Sequence, residues 1–142
     1  MSEMITGGCL CGAVRYQAQV PPLVSRLCYG RACQYIAAGN ATVNAVFPSA
    51  AITFTGEMRE FVRTADSGNI MHRFFCPVCG THICSRGEAL PEYVVIRAGT
   101  LDDPNIASPS AAIWTSSAPR WACIDPKLEQ VAKQPPPLKI ST

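Results

Sequence analysis

Cys76-Pro77-Val78-Cys79-Gly80, taken together with Cys9-Leu10-Cys11, is the stretch that decides the fold. Each pair is spaced too tightly to bridge easily to itself, yet two such pairs can grip one metal ion from two sides. Four thiolates in a tetrahedron are what Zn²⁺ accepts in a closed structural site. Pro77 stiffens the second turn, and Gly80 can take a positive φ, which lets backbone N–H groups point back at sulfur. The first pair follows Gly7-Gly8 and precedes Gly12, so it also sits in a tight turn. The competing account is four buried free cysteines, because cysteine often packs as a small hydrophobe. Two such doublets in one short chain favour the metal. Closing a long loop costs little more entropy than closing a shorter one, so a single ion can organise much of the chain.

The segments flanking these turns read as short strands with little helical periodicity. Val14, Tyr16, Ala18 and Val20 alternate with polar residues and predict a half-buried strand. Residues 43–47, closed by Pro48, predict another. Residues 52–54 and 60–63 flank Gly56 and read as the arms of a hairpin. Ile70–Phe75 runs into the Cys76 turn and residues 81–84 run out of it, so the knuckle is expected to cap a hairpin. Residues 93–96 are the most apolar run and are expected to be central, and residues 111–114 are expected to be the last strand. Asp102-Asp103-Pro104-Asn105 is a turn, and the tail around Pro135-Pro136-Pro137 is expected to be extended or loosely attached. The expectation is a mainly β fold of short antiparallel strands, stapled by a four-cysteine structural zinc.

With 142 residues, the chain is expected to form one zinc-binding β domain over 1–142, near the size at which a metal staple helps. No apolar h-region follows Met1 and no run approaches a membrane span, so the expectation is a cytoplasmic protein without membrane contact. In a reducing compartment its eight cysteines serve as metal ligands or thiols rather than disulfides. A net charge of +2 with no basic run argues against nucleic acid as a partner. The oligomeric state is not readable from the sequence.

Several stretches together resemble the glutathione-dependent formaldehyde-activating enzyme family, which includes centromere protein V-like proteins. They are Gly7-Gly8-Cys9-Leu10-Cys11-Gly12-Ala13-Val14-Arg15-Tyr16, Phe74-Phe75-Cys76-Pro77-Val78-Cys79-Gly80-Thr81 and Ala98-Gly99-Thr100-Leu101-Asp102-Asp103-Pro104. Ile113-Trp114-Thr115-Ser116 and Pro119-Arg120-Trp121 echo it further, so the resemblance covers about residues 6–125. It implies an Mss4-like fold, with the structural zinc on Cys9, Cys11, Cys76 and Cys79. It also implies a second, catalytic zinc on a C-x-C-x-x-C motif, and a carbon–sulfur lyase activity that joins glutathione to formaldehyde as S-(hydroxymethyl)glutathione.

This chain departs from the family pattern at that second site. The matching stretch is Cys28-Tyr29-Gly30-Arg31-Ala32-Cys33, so Gly30 stands where the middle ligand belongs. A catalytic zinc usually has three protein ligands and one open position. Three outcomes therefore stay open for Cys28 and Cys33. A second zinc is held with a third ligand from elsewhere, Cys84 first, then His82, His72 or Cys123. Alternatively the metal and catalysis are lost, leaving a zinc-stapled binding module. In the third outcome, Cys28 and Cys33 form a reversible disulfide. An open metal position would present a thiol such as glutathione as thiolate, and Arg31 is the adjacent cation for a developing alkoxide or a glutathione carboxylate. Arg15 and Arg73 are read as offsetting the charge of a four-thiolate zinc site. Trp114 and Trp121 read as core or groove-wall aromatics, Tyr29 as a hydrogen-bond donor or packing residue, and Cys123 as a free thiol.

Overall fold

Two β-sheets pack across one apolar core in the computed structural model, which describes residues 3–138. In chain order the elements are β1 (Ile5–Gly8), β2 (Arg15–Ala18), β3 (Val24–Cys28), α1 (Arg31–Ile36), β4 (Thr42–Pro48), β5 (Ile52–Thr55), β6 (Arg59–Thr64), β7 (Ile70–Phe75), β8 (His82–Gly87), β9 (Tyr93–Arg97), β10 (Ala111–Ile113) and β11 (Glu129–Val131). The small sheet has the order β1-β2-β5, and the large one β11-β10-β3-β4-β9-β8-β7-β6. Neighbours are antiparallel except at β10, which runs parallel to both β3 and β11. Among the described residues no helix is long and apolar enough to cross a membrane.

The strand registers give the large sheet two chemically different faces. Phe74 lies opposite Cys84, Cys84 opposite Ile96, and Ile96 opposite Ala45. That row joins Phe47 and Val94 in a core closed by Tyr16 and Ala18 from the small sheet and by Val14 from the turn before it. Side chains alternate along a strand, so the next row points the other way. It reads Arg73, Ser85, Val95 and Val46 across four strands, with Arg97, Asn44 and Arg26 in register one pleat further along. One face is therefore dry and the other carries cations and thiols. Phe47 is fully buried at the centre of the dry face. Phe47→Ala should cost about 3–5 kcal/mol, measured as a lower urea midpoint of the metallated protein with an unchanged slope.

The mainly β class, the central place of residues 93–96 and the hairpin around the Cys76 turn all agree with the sequence. Other expectations need correction. Residues 52–54 and 60–63 do not form one hairpin, because β5 pairs with β2 and β6 with β7. Ile52 and Phe54 turn into the core, where Phe54 packs on Tyr16 at 5.7 Å between ring centroids, whereas β6 is an exposed edge strand. The two arms have no face in common. Nor is β10 the last strand, because β11 extends the sheet beyond it. The tail is held as far as Leu138: Trp114 N–H donates to the Lys133 carbonyl at 3.3 Å, and the Tyr93 hydroxyl to the Leu138 carbonyl at 2.6 Å. The helix α1 went unread because six residues are too few to display a period.

Candidate functional site

The four paired cysteines come together from both sheets. Cys9 and Cys11 lie in the turn between β1 and β2, and Cys76 and Cys79 in the turn between β7 and β8. Their Sγ atoms all lie within 4.8 Å of one another. Cys9 Sγ stands 3.6 Å from Cys11 Sγ, which stands 3.8 Å from Cys76 Sγ. Metal–thiolate bonds of about 2.3 Å in a tetrahedron imply sulfur–sulfur edges of about 3.8 Å, so the donor set fits one ion. The backbone prepares it for negative charge. Val14 N–H donates to Cys9 Sγ at 3.2 Å, and Val78 and Cys79 N–H to Cys76 Sγ at 3.4 and 3.5 Å. Hydrogen bonds to an ionised acceptor stabilise the thiolate form that a metal needs.

Cys28 and Cys33 meet elsewhere, on the polar face of the large sheet. Cys28 ends β3 and Cys33 lies in α1. The helix is fixed by the buried Gln34 side chain, whose amide donates to the Tyr29 and Ser117 carbonyls at 2.8 and 3.0 Å. The neighbouring Cys28 side chain pushes the Cys33 pKa down to about 6, against burial and with help from Thr42 and the Arg97 and Arg73 charges. The same contact, with burial, pushes Cys28 up. Around the pair opens a groove of about 860 Å³, mouth included, lined by Arg73, Arg97, Asn44, Ser85 and Trp114 among others.

Among the described residues no third metal-ligating side chain clusters with Cys28 and Cys33. Among the described residues, Cys9, Cys11, Cys76 and Cys79 form the only cluster of three or more metal-ligating side chains. Cys84 belongs to the apolar core, on the opposite face of the sheet. His72 is engaged with Glu60 and Glu88 at 3.1 and 3.4 Å. His82 packs on Phe75 at 5.9 Å between ring centroids and, like the exposed Cys123, does not line the groove. A Cβ added at Gly30 would lie 3.5 Å from Cys28 Sγ and 3.8 Å from Trp114 Cγ, in ordinary contact, so the backbone leaves room for the side chain that is missing.

The arginines are distributed differently from the sequence expectation. Arg15 pairs with Asp102, its Nη1 donating to Oδ1 at 3.0 Å, and so ties β2 to the 98–104 turn. Arg31 lines the groove from an exposed position, donating to Gln34 Oε1 at 2.5 Å and lying over the Tyr35 ring. Arg73 belongs to the groove and is buried. Arg97, which the sequence did not single out, joins it there. Its signal was weak: Arg97 closes an apolar run, and only the period of two, counted from Val95, puts it on the polar face. Trp114 lines the groove with a left-handed φ of 56°, while Trp121 is exposed and Tyr29 is buried.

The family model for glutathione-dependent formaldehyde-activating enzymes matches residues 4–117. The chain belongs to this family. The match takes in both cysteine pairs, Cys28, Cys33 and Arg97, but ends short of Pro119-Arg120-Trp121. Segment 118–138 is thus outside the formaldehyde-activating match, yet it supplies β11 and the Gln134 side chain that accepts from Trp114 Nε1 at 3.0 Å. A crystal structure of a Rhodobacter sphaeroides protein is similar in fold, with a TM-score of 0.54 and 18% identity over 68% of this chain and 87% of that one. Comparison with curated proteins gave no match.

Proposed function

We propose that this protein is a zinc-stapled thiol-addition enzyme of the carbon–sulfur lyase type, which joins glutathione or a related thiol to formaldehyde in the Cys28–Cys33 groove. The observation that carries it is the placing of Cys28 and Cys33 beside two buried arginines in one groove, within a formaldehyde-activating family member. Cys9, Cys11, Cys76 and Cys79 hold one zinc, because a closed four-thiolate set suits that ion. In the addition, the thiol sulfur bonds to the carbonyl carbon. The carbonyl π pair moves to oxygen, and the proton lost by the thiol ends on that oxygen. The positive potential of Arg73 and Arg97 favours both the attacking thiolate and the alkoxide. Two thiolates fall short of the three ligands a catalytic zinc keeps, and no step here uses a second metal. The eight free cysteines suit a reducing compartment, which favours the cytoplasm.

The test is the rate of formaldehyde loss with glutathione, measured with fully metallated protein against the spontaneous reaction. A rate above background that disappears in a Cys28→Ala/Cys33→Ala variant supports the activity, and a rate equal to background overturns it. Gly30 favours a second reading, a non-catalytic binding module in which the site has lost a ligand. Gly30→Cys separates the two. Wild type should carry about one zinc per chain and the variant about two, as three thiolates complete a site. For the module, catalysis should appear only in the variant. Wild-type turnover that Gly30→Cys leaves unchanged removes the module.

A further inference from the structure

The geometry points to a carboxylate-binding subsite formed by Arg73 and Arg97 on the polar face of the large sheet, which selects thiol substrates that carry an acid group. This rests on the groove being the substrate site and adds what the substrate must carry. Arg73 and Arg97 are only 7% and 8% exposed. A buried guanidinium ordinarily has a carboxylate or a full set of hydrogen bonds to offset its lost hydration. Neither arginine has an ion pair among the described residues. Arg97 Nη1 donates to Asn44 Oδ1 at 2.6 Å, which orients its guanidinium. Its Nε, together with Nε and Nη1 of Arg73, is buried without a partner.

The strand order brings the two charges toward one place. Arg73 on β7 and Arg97 on β9 are separated by β8 alone, and both line the groove. Strands two apart lie about 10 Å from each other, a span that two arginine side chains can close on a shared anion. Burial lowers the Arg97 pKa first, and repulsion from the Arg73 charge lowers it further. Arg26 stands in register with Asn44 and Arg97, and with the exposed Arg31 it brings the arginines of the lining to four. Against these the lining offers the exposed Asp66 carboxylate and the Cys28–Cys33 pair. Even with a thiolate at Cys33, the two buried guanidinium charges meet one negative charge there. A carboxylate entering the groove supplies the other, and its two oxygens match the planar donor fork of arginine.

The arrangement carries a cost that sets it apart from a structural role. A charge buried for a ligand destabilises the protein without the ligand. Removing it should strengthen the empty protein while weakening binding. Removing a structural guanidinium would do the reverse.

The experiment is calorimetric titration of metallated wild type with 3-mercaptopropionate, its alcohol counterpart 3-mercapto-1-propanol, propionate and inorganic sulfate, then of Arg73→Met and Arg97→Met. Expected are at least tenfold tighter binding of 3-mercaptopropionate than of the alcohol, loss of that preference in either variant, and a higher melting temperature for each ligand-free variant. Equal affinity for acid and alcohol in wild type overturns the subsite without need of any variant. Sulfate binding in place of both carboxylates overturns the assignment to a carboxylate. A variant that keeps the preference and melts lower shows a structural counter-charge and overturns it too. Carboxylate preference in a protein that fails to turn over glutathione and formaldehyde sinks the proposed activity and supports the subsite, whereas turnover with no preference sinks the subsite alone.

Discussion

Cys76→Ser is expected to abolish the cooperative fold. Cys76 is fully buried, and its Sγ accepts from the Val78 and Cys79 N–H groups while facing Cys11 Sγ at 3.8 Å. A serine hydroxyl in that place is a poor metal ligand and leaves both donors without a good acceptor. The larger loss is the ion. Metal affinity at a closed thiolate site is folding free energy, about 10–16 kcal/mol for structural zinc in small peptides. Whole domains are stable by only about 5–15 kcal/mol. The variant should therefore accumulate as insoluble protein or melt without a sharp transition. Wild type should do the same when a strong chelator removes its metal. Cys123→Ser is the control, since that thiol is exposed and its replacement should shift stability by no more than about 0.5 kcal/mol. A soluble Cys76→Ser protein with the melting temperature of wild type would show that the cluster does not hold the fold.

Gly7→Ala should be nearly as damaging, although it adds a single methyl group. A Cβ at Gly7 would lie 2.3 Å from the Tyr16 hydroxyl oxygen and 2.4 Å from the Thr100 carbonyl oxygen. Neither neighbour can yield cheaply. Tyr16 is buried, and its hydroxyl is tied to Thr100 Oγ1 at 2.8 Å. Thr100 Oγ1 in turn donates to the Arg97 carbonyl at 2.7 Å, and Gly7 itself bridges to Leu101. The strain must spread into the backbone that joins the small sheet to the end of β9. Overpacking a tight interior typically costs about 1–3 kcal/mol and more where backbone must move. A loss of about 3 kcal/mol or more is expected, read as a fall in the denaturant midpoint. A change under about 1 kcal/mol would mean that β1 is not clamped as described.

The four-cysteine cluster was legible because its chemistry is local. C-x-C and C-P-x-C each fit inside one turn, so a tetrahedral site follows from spacing, and the flanking glycines carry the family signature. The strands next to those turns were legible for the same reason. Long-range pairing was not. Gly56 looks like a hairpin turn until the burial of Phe54 and the exposure of β6 send the arms to different sheets. The groove was legible in its thiols and in the nearby Arg31 and Trp114, but not in the arginines buried within it. Cys28 and Cys33 stand out by residue type, but Arg73, Arg97 and Asn44 are scattered over three strands and converge only through register. Cys84 illustrates the same limit. It lies one residue from Ser85 in sequence and on the opposite face of the sheet, a difference that decides between core and groove.

Cys11 and Cys76 are separated by 65 positions in the chain. A chain synthesised at about 5–20 residues per second extends across that interval in roughly 3–13 s. Throughout that time the N-terminal turn has two thiols and no partner. The small sheet cannot be fastened to the large one until the second turn has been made and an ion has found both. For a ligand bound by the folded state alone, each tenfold fall in its free concentration removes about 1.4 kcal/mol of stability while the site is well occupied. In a cell, the lifetime of this protein is thus tied to the metal supply at the moment its C-terminal half emerges.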